Sequence, residues 1–577
     1  MRFSVNGNWK DGYTHDGMLF FAQRVEEMLM YYTSHVYKVP VYNTYLLIEE
    51  FSRTYNLVKQ GAVNQTHLAL ILEEFYASLS GDIIIQTHFS RDEIDQFISH
   101  LKSVSIENQM QFMHYLWHCF GQYPEWCREE ARKIVDYKKD KKKIEKIARS
   151  LVSTLIGVGY HPRFIYRFCK KTFSSKDICD SSALDVFLDR FDWTARDYVV
   201  YFAVDKSVQE FKSILETRLG ISFEEDRYFR QVQFDSNTQI CLHLKTKAVD
   251  SDSAAEFAYR QFNLFVRYYK FFGNRSGEWC ANKTIVVDSE GKVFSPPFLP
   301  QGYRYSQDYD SRTLGRNSEF AITSLLENTE RDDFYKVNKI IQTHNVALES
   351  SDMGNGFLNL WSVLEIMGVS HHEESKIKEI MNSVVPVLKR NYLCIVFEEL
   401  HDYLKANLSA SEYQSLLSNI TESGDEELKI ACIVMMKKYD ETRKTAYSML
   451  AKCPLIRSRI SQQYADIFSD KKKLLSEFDR YEQRLRWHIQ RLYRTRNSII
   501  HSGEVPDNIS SLGEHLHDYV DELILEIVDK LTRKSSLGSI DNVIIDAQMF
   551  MDRIYQSYKG GGELLEEDVR LLLGKEN

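Results

Sequence analysis

Helix-breaking residues are scarce in this chain, and their scarcity constrains the fold more than any other feature of the sequence. Only 9 Pro and 25 Gly occur among 577 residues, whereas Leu, Ile, Glu and Lys are frequent. Because glycine and proline supply the turns of all-β folds and interrupt helices, this composition predicts long helices rather than a sandwich of short strands. At about 150 residues per domain, the length allows three or four domains. We therefore predict a mainly α, multidomain protein.

The helical pattern is interrupted once, in the middle of the chain. Tyr198 to Val204 is a continuous apolar run of strand length, and Ile240 to Ala248 alternates between apolar and polar residues. The aromatic-rich segment from Ser253 to Phe272 has the length of a helix. Farther on, the turn Ser289-Glu290-Gly291 separates two short apolar runs, as in a β-hairpin. These elements predict a small α+β domain.

The changes of pattern give a predicted domain organisation. A cluster of prolines after residue 295 is followed by a stretch rich in Tyr and Asp, which is typical of a linker. Beyond it the pattern is helical almost to the end, where Gly560-Gly561-Gly562 sets off a short charged segment. The predicted parts are a helical N-terminal domain of unknown role (1–190), the small α+β domain (191–300), a linker (301–319), a helical domain (320–535) and a C-terminal tail (536–577).

Composition also bears on location and on broad function classes. The nine cysteines are scattered without a CxxC pair, the N-terminus lacks the apolar run of a signal peptide, and no apolar stretch reaches about 18 residues. We therefore expect a cytoplasmic protein with no membrane partner. A net charge of −9 argues against coating of nucleic acid by the whole surface, although a local basic site remains compatible with it. No glycine-rich phosphate loop occurs, so nucleotide hydrolysis by a familiar motif is unsupported.

A basic segment from Lys138 to Arg149 has two interpretations. It carries seven basic residues against Asp140 and Glu145. It could be an RNA-binding or sensor surface, but such runs are commonly the solvated face of a helix, and we favour that interpretation.

A pair of histidines also has two interpretations. His114 and His118 are four residues apart, so one helix face could present both imidazoles to a zinc ion. Aromatic residues surround them and no CxxC or carboxylate completes a ligand set, so we favour a packed aromatic helix and predict no metal site.

The segment that carries chemistry is a helix predicted from about Lys473 to His501. Its apolar stripe consists of Leu485, Ile489, Leu492 and Ile499, and Arg496 occupies the missing position. A guanidinium on a packing face is costly unless it is paired or meets an anion. Two alternatives are therefore open: a salt bridge to an acidic residue of a neighbouring helix, or an anion-binding site.

The residues after Arg496 favour the anion-binding alternative. Asn497 and His501 are four residues apart and share a helix face, and Ser502-Gly503 predicts the end of the helix directly after His501. A histidine that exchanges protons near neutral pH beside an anion-binding arginine suits phosphoester transfer. Further arginines on this helix, among them Arg491 and Arg494, are predicted to bind the RNA backbone.

Two segments carry a resemblance to a known family. The run Arg496-Asn497-Ser498-Ile499-Ile500-His501 matches the Arg-x4–6-His signature of HEPN domains, including the Asn after the Arg. Upstream, Val346 to Ser350 and Phe357 to Glu365 resemble the paired-helix opening of ApeA-like HEPN proteins. The resemblance covers about residues 320–535 and does not extend to the first 300 residues.

The resemblance implies a helical bundle that dimerises around the Arg/His motif and cuts RNA without a metal or other cofactor. His501 would be the general acid or base, and Arg496 would bind the scissile phosphate. Asn497 would orient His501 or contact the phosphate. Glu365 would either orient Arg496 by a charge-assisted hydrogen bond or form an Arg–Glu bridge that holds two helices together.

The hypothesis from the sequence is thus an endoribonuclease that cleaves RNA by attack of the 2′-hydroxyl. The expected partners are RNA, with transfer RNA as one candidate, and at least one further copy of the chain. The resemblance to ApeA-like proteins also implies a toxin-like role in abortive defence against phage, with a phage-derived trigger. The alternative is a HEPN domain without catalysis that only dimerises or holds RNA as a scaffold or sensor.

Overall fold

The computed structural model describes residues 16–31, 33–137, 140–173, 180–223, 228, 238–273, 280–298, 311–350, 352–368, 376–533 and 537–575. Its chain is mainly helical and contains a small antiparallel sheet, as the composition predicts. It divides into two compact units. Unit 1 comprises residues 1–153, 173–181 and 303–577, and unit 2 comprises residues 154–172 and 182–302.

Unit 1 is built from helices that come from both ends of the chain. The helices of its N-terminal part are α1 (Asp16–Leu29), α2 (Thr44–Lys59), α3 (Thr66–Gly81), α4 (Arg91–Ser103), α5 (Ile106–Cys119), α6 (Tyr123–Arg132) and α7 (Lys141–Gly157), the last of which continues into unit 2.

Unit 2 contains both helices and the sheet. In chain order its elements are α8 (Pro162–Phe173), α9 (Ser182–Asp189), β1 (Arg196–Asp205), α10 (Lys212–Leu219), β2 (Ile221–Ser222), β3 (Gln239–Ala248), α11 (Ser251–Gly273), β4 (Cys280–Asp288) and β5 (Val293–Phe294).

Helices make up most of the C-terminal part of unit 1 among its described residues. Its helices are α12 (Ser311–Asn328), α13 (Arg331–Glu349), α14 (Met353–Met367), α15 (Lys376–Asn407), α16 (Ala410–Ser418), α17 (Glu426–Met435), α18 (Asp440–Met449), α19 (Pro454–Ser458), α20 (Tyr464–Phe468), α21 (Lys471–Ser502), α22 (Ile509–Arg533), α23 (Ile540–Tyr558) and α24 (Glu566–Leu572).

Local sequence signals set several of these helix ends. Helix α4 begins with a capping box in which Ser90 and Glu93 exchange hydrogen bonds, so two backbone N–H groups are satisfied. At the start of α21, the Asp470 side chain accepts hydrogen bonds from two backbone N–H groups of the first turn. That helix ends at Gly503, whose φ of 70° is the left-handed conformation that glycine adopts without strain. The end of the predicted helix is thus confirmed.

The core of unit 1 forms around α21. Its stripe residues Leu485, Ile489 and Leu492 are at most 2% exposed, whereas Ile499 is half-buried. The helix packs against α14, α15 and α20 from the C-terminal part and against α3 from the N-terminal part. Helices that are more than 400 residues apart in the chain therefore share one core.

Unit 2 is a five-stranded antiparallel sheet with the strand order β2-β3-β1-β4-β5. The central strand β1 pairs with both β3 and β4, and Val200 lies opposite Leu244 on one side and Val286 on the other. Helix α11 packs across one face, where Ala258 and Phe262 meet the side chains of Val200 and its neighbours. The predicted strands, helix and hairpin of this region are confirmed.

The boundaries between units differ from the predicted domains. Residues 1–153 belong with the C-terminal helices, and most of α8 and all of α9 belong with the sheet. Residues 301–310 of the predicted linker lie outside the described residues, and α12 begins directly after them at Ser311. The predicted tail forms α23 and α24, which pack against α15 and α17. Among the described residues, no helix has the length and low charge needed to cross a bilayer.

Candidate functional site

The candidate site lies in the last two turns of α21, where the helix emerges from the core. The backbone N–H of Gly503 donates to the carbonyl of Ile499 at 3.1 Å and closes the helix. His501 lies in this last turn and is exposed, as is Ile500. The histidine is therefore accessible to a ligand from solvent.

Arg496 lies between the buried part of α21 and its exposed end. Its Nη1 donates to Oδ1 of Asn497 at 3.1 Å, and its Nη2 lies 3.4 Å from Oε1 of Glu365. The side chain nevertheless keeps 24% of its surface exposed. Both alternatives derived from the sequence therefore remain compatible with its position, because the guanidinium is paired and still reachable by an anion.

Glu365, on α14, is shared among three donors. Trp361 Nε1 donates to its Oε1 at 2.9 Å, and Lys376 Nζ lies 3.4 Å from its Oε2. Together with Arg496, these contacts connect α14 to both α15 and α21. The carboxylate is thus fixed from several sides, which suits either a positioning role or a structural bridge.

Asn497 and His501 are not joined to each other. Asn497 is 3% exposed, and its Oδ1 accepts from Arg496. Within the described part of the chain, no hydrogen bond connects Asn497 to His501. The structure therefore favours contact of Asn497 with the arginine over direct orientation of the histidine.

Arg491 and Arg494, which the sequence analysis assigned to RNA binding, are placed in the interior. They are 5% and 4% exposed. Arg491 donates to both oxygens of Glu50 on α2 at 3.0–3.1 Å and to Glu74 on α3 at 2.7 Å, and Arg494 donates to Glu50 at 2.6 Å. This placement corrects the prediction: carboxylates of N-terminal helices, rather than phosphates, neutralise these guanidiniums.

The arginines of that buried cluster also shift the pKa of Glu50. Burial by itself would raise the pKa of Glu50, but Arg491 and Arg494 lower it to about 2. Glu50 is therefore ionised, and the three groups form a hydrogen-bonded charge network between α2 and α21.

The histidines considered as zinc ligands lie on the surface. His114 and His118 are exposed on α5. No third donor joins them to form a metal-binding group within the described ranges. The first two residues of the basic segment, Lys138 and Lys139, lie outside the described residues. Its other basic residues belong to α7.

Three other donors do converge, in the interior of unit 1. Nε2 of His344 on α13 lies 2.8 Å from Oδ1 of Asp521 on α22, and Nε2 of His517 lies 3.4 Å from the same oxygen. The two rings are parallel to within 2°, with centroids 5.3 Å apart. The three donor atoms lie within 4.8 Å of one another, close enough to hold a metal ion, and the same contacts join α13 to α22.

Two partners of the candidate site were not anticipated from the sequence. Trp361 lies one helical turn before Glu365, a spacing that could have indicated their contact. Lys376 follows residues 369–375, which lie outside the described residues, and no spacing in the sequence connects it to Glu365.

Comparison with known proteins adds no assignment for this arrangement. No family model, no curated protein and no solved structure is similar to the chain.

Proposed function

We propose that this chain is a HEPN-type endoribonuclease that cleaves RNA without a metal ion, with Arg496 and His501 as its catalytic residues. One observation carries the proposal. The guanidinium of Arg496 is held by Glu365 and Asn497 yet remains 24% exposed, and it lies within two turns of an exposed histidine at the end of the same helix.

The proposed reaction is a transesterification that needs no cofactor. A histidine in the neutral form takes the proton of an RNA 2′-hydroxyl, and the 2′-oxygen attacks the adjacent phosphorus. The bond to the 5′-oxygen breaks, and this oxygen leaves with a proton, which gives a 2′,3′-cyclic phosphate and a 5′-hydroxyl. His501 serves as the acid or the base, and Arg496 stabilises the charge that develops on the phosphoryl oxygens.

Glu365 acts in this scheme as a positioning residue. It contacts the arginine rather than the substrate, and its own orientation is fixed by Trp361 and Lys376. Asn497 restrains the same guanidinium by accepting a hydrogen bond from Nη1 at its Oδ1. A guanidinium restrained in this way loses less conformational entropy when it binds a phosphate.

The biological role that we propose follows from the resemblance of the motif. RNA cleavage by a toxin-like effector would halt the host cell during phage infection, with transfer RNA as one candidate substrate and a phage-derived trigger. The active form would contain at least two copies of the chain, and its reaction would take place in the cytoplasm.

A second candidate is a non-catalytic HEPN scaffold that dimerises or holds RNA. The contact between Arg496 and Glu365 at 3.4 Å favours it, because an Arg–Glu pair between α21 and α14 also serves to hold two helices together. Under this alternative, His501 has no role in proton transfer.

Cleavage of RNA by the purified full-length protein in the presence of EDTA separates the two candidates. We expect cleavage by the wild type, products with a 5′-hydroxyl, and a rate at least about a hundredfold lower for His501→Ala. His114→Ala is the matched control, since His114 is an exposed helical histidine outside the site. Equal rates for both variants, or strict dependence on magnesium, would assign the cleavage to another site.

A further inference from the structure

A cavity of about 440 Å³ lies in unit 1, alongside the middle of α21 rather than at its end. Residues of α21 and α22, of the segment before α2, and of α3 and α7 line it. Ligand pockets for small molecules begin at roughly 300 Å³, so the volume suits a molecule of metabolite size. The charged residues of its lining are Lys38, Arg149, Arg480, Arg484, Arg491 and a single carboxylate, Glu74.

Most carboxylates that pair with these cations do not line the cavity. Lys38 pairs with Asp518 at 2.7 Å, and Arg484 lies 3.4 Å from Glu477, neither of which lines the cavity. Because these carboxylates lie outside the lining and five cationic side chains lie within it, the cavity is bordered mainly by positive charge. Such an arrangement attracts an anion.

Among the cations of the lining, Arg149 is the strongest candidate to bind an anion. It is half-buried on α7, and no hydrogen bond or ion pair within 4 Å holds its guanidinium among the residues that the structure describes. Burial lowers its pKa to about 10, and repulsion from Arg484 contributes to the shift, although Glu145 opposes it. A bound anion would relieve both effects.

The remaining lining supplies aromatic surface and a polar group without a partner. Trp487 is half-buried, and Tyr42 faces the guanidinium of Arg491 at 4.5 Å from its ring centroid. His488 is 9% exposed and bonds the Tyr519 hydroxyl through Nδ1, while its Nε2 has no hydrogen-bond partner among the described residues. Indole faces stack on nucleobases, and a neutral imidazole can accept or donate one further hydrogen bond.

From this combination of groups we propose that the cavity binds a nucleotide, with its phosphate against Arg149 and Arg484 and its base against Trp487. The ligand is a small phosphorylated molecule with a planar ring, because the cations provide for the phosphate and the indole for the ring. Its source is either a soluble nucleotide or one unit of an RNA strand. This binding site is separate from Arg496 and His501, so the inference does not depend on the proposed nuclease activity.

Equilibrium binding to the full-length protein tests the proposal. The probes are ATP, AMP, adenosine and inorganic phosphate, together with a short oligoribonucleotide. We expect ATP and AMP to bind and to raise the thermal unfolding midpoint, with adenosine and phosphate alone each at least tenfold weaker. The variant Arg149→Gln should weaken AMP binding at least tenfold, whereas Lys146→Gln, an exposed residue of the same helix, should leave it unchanged.

Stability of the ligand-free protein provides a second measurement. If Arg149 serves ligand binding rather than stability, the ligand-free Arg149→Gln variant should unfold at the same temperature as the wild type or higher. AMP should no longer raise the unfolding temperature of this variant. Trp487→Ala should likewise weaken AMP and the oligoribonucleotide more than phosphate. If the oligoribonucleotide and AMP both bind, each in its own measurement, an RNA strand is identified as a source of the ligand. Absence of binding by every probe, or an unchanged Kd for AMP in Arg149→Gln, would overturn the proposal.

Discussion

Three arginines within six residues of α21 occupy two different environments. Arg491 and Arg494 are buried against carboxylates of the N-terminal helices, whereas Arg496 keeps a quarter of its side chain exposed beside Glu365. The sequence left two alternatives open for Arg496, a salt bridge or an anion-binding site, and its contact with Glu365 is compatible with both. The sequence could not show that Arg491 and Arg494 are buried. Helical periodicity indicates which side of a helix is apolar, but it does not indicate which distant segment covers the polar side.

This difference predicts opposite effects of two similar substitutions. Arg491→Ala should lower the free energy of unfolding by about 3–5 kcal/mol, because Glu50 and Glu74 would remain buried with less compensation. Arg496→Ala should cost less than about 1 kcal/mol, since its ion pair is partly exposed, while RNA cleavage falls at least about a hundredfold. Denaturant unfolding and cleavage assays on both variants measure this contrast. A severe loss of stability in Arg496→Ala would instead favour the scaffold function.

The substitution Glu365→Gln distinguishes a role of Glu365 in positioning Arg496 from a role in holding two helices together. The amide oxygen of Gln can still accept from Trp361, so the fold should be retained, but the charge that restrains Arg496 is removed. We expect kcat to fall about tenfold or more with little change in KM or in the unfolding midpoint. Trp361→Phe, which removes only the indole donor, should have a smaller effect. A loss of stability without a loss of kcat would show that Glu365 is only a bridge between helices.

At the scale of elements, the helices and strands were largely predictable and their partners were not. The capping box before α4, the end of α21 at Gly503 and the hairpin of β4 and β5 follow from local signals and are confirmed. The packing of α2 and α3 near α21 depends on contacts between residues more than 400 positions apart. The mixed apolar and charged pattern of these helices does not specify such a partner.

The contact between α2 and α21 predicts a pH dependence of stability. Arg491 and Arg494 lower the pKa of Glu50 from its ordinary 4.5 to about 2 in the folded chain, so the ionised carboxylate stabilises the fold. Because the folded pKa is lowered, this contribution is complete above about pH 4.5 and is lost as the pH falls through about 2. Glu50→Gln should therefore be less stable than the wild type at pH 7, and the difference should shrink as the pH falls.

The measurement is the unfolding midpoint of both proteins between pH 7 and pH 2. Glu441→Gln is the control, since that carboxylate is 85% exposed and its contact with Lys444 lies on the surface. A difference between Glu50→Gln and the wild type that stays constant across this range would contradict the assigned role of Glu50.

At the scale of the whole molecule, the burial of α21 restricts how two copies could meet. Leu485, Ile489 and Leu492 pack within one chain, so the apolar stripe is sealed over most of its length. At its end, Ile500 is 48% exposed and Val505 beyond it is 44% exposed, so this end presents apolar surface. We therefore propose the two-fold contact that the HEPN resemblance implies at the last turns of α21, next to Arg496 and His501.

Mixed dimers test whether the proposed active site is shared. We expect scattering of the active protein to show at least a dimer, with the exposed end of α21 at its two-fold contact. Dimers of one wild-type chain and one chain with both Arg496→Ala and His501→Ala are purified through two different tags. A composite site predicts well under half of the wild-type rate, whereas independent sites predict half. A fully active monomer would exclude this assembly.

The pairing of Arg491 with Glu50 across 441 residues also has a consequence for biosynthesis. When α2 leaves the ribosome, the arginines that will neutralise its carboxylate have not yet been translated. At about 5–20 residues per second, the interval for those 441 residues is roughly 20–90 s. During that time the carboxylate of Glu50 and the face of α3 that packs against α21 lack their final partners, and this part of the chain is a candidate for chaperone binding. The Arg/His motif is translated directly after this interval, so a ribosome finishes most of the chain before any copy of the proposed nuclease site exists on it.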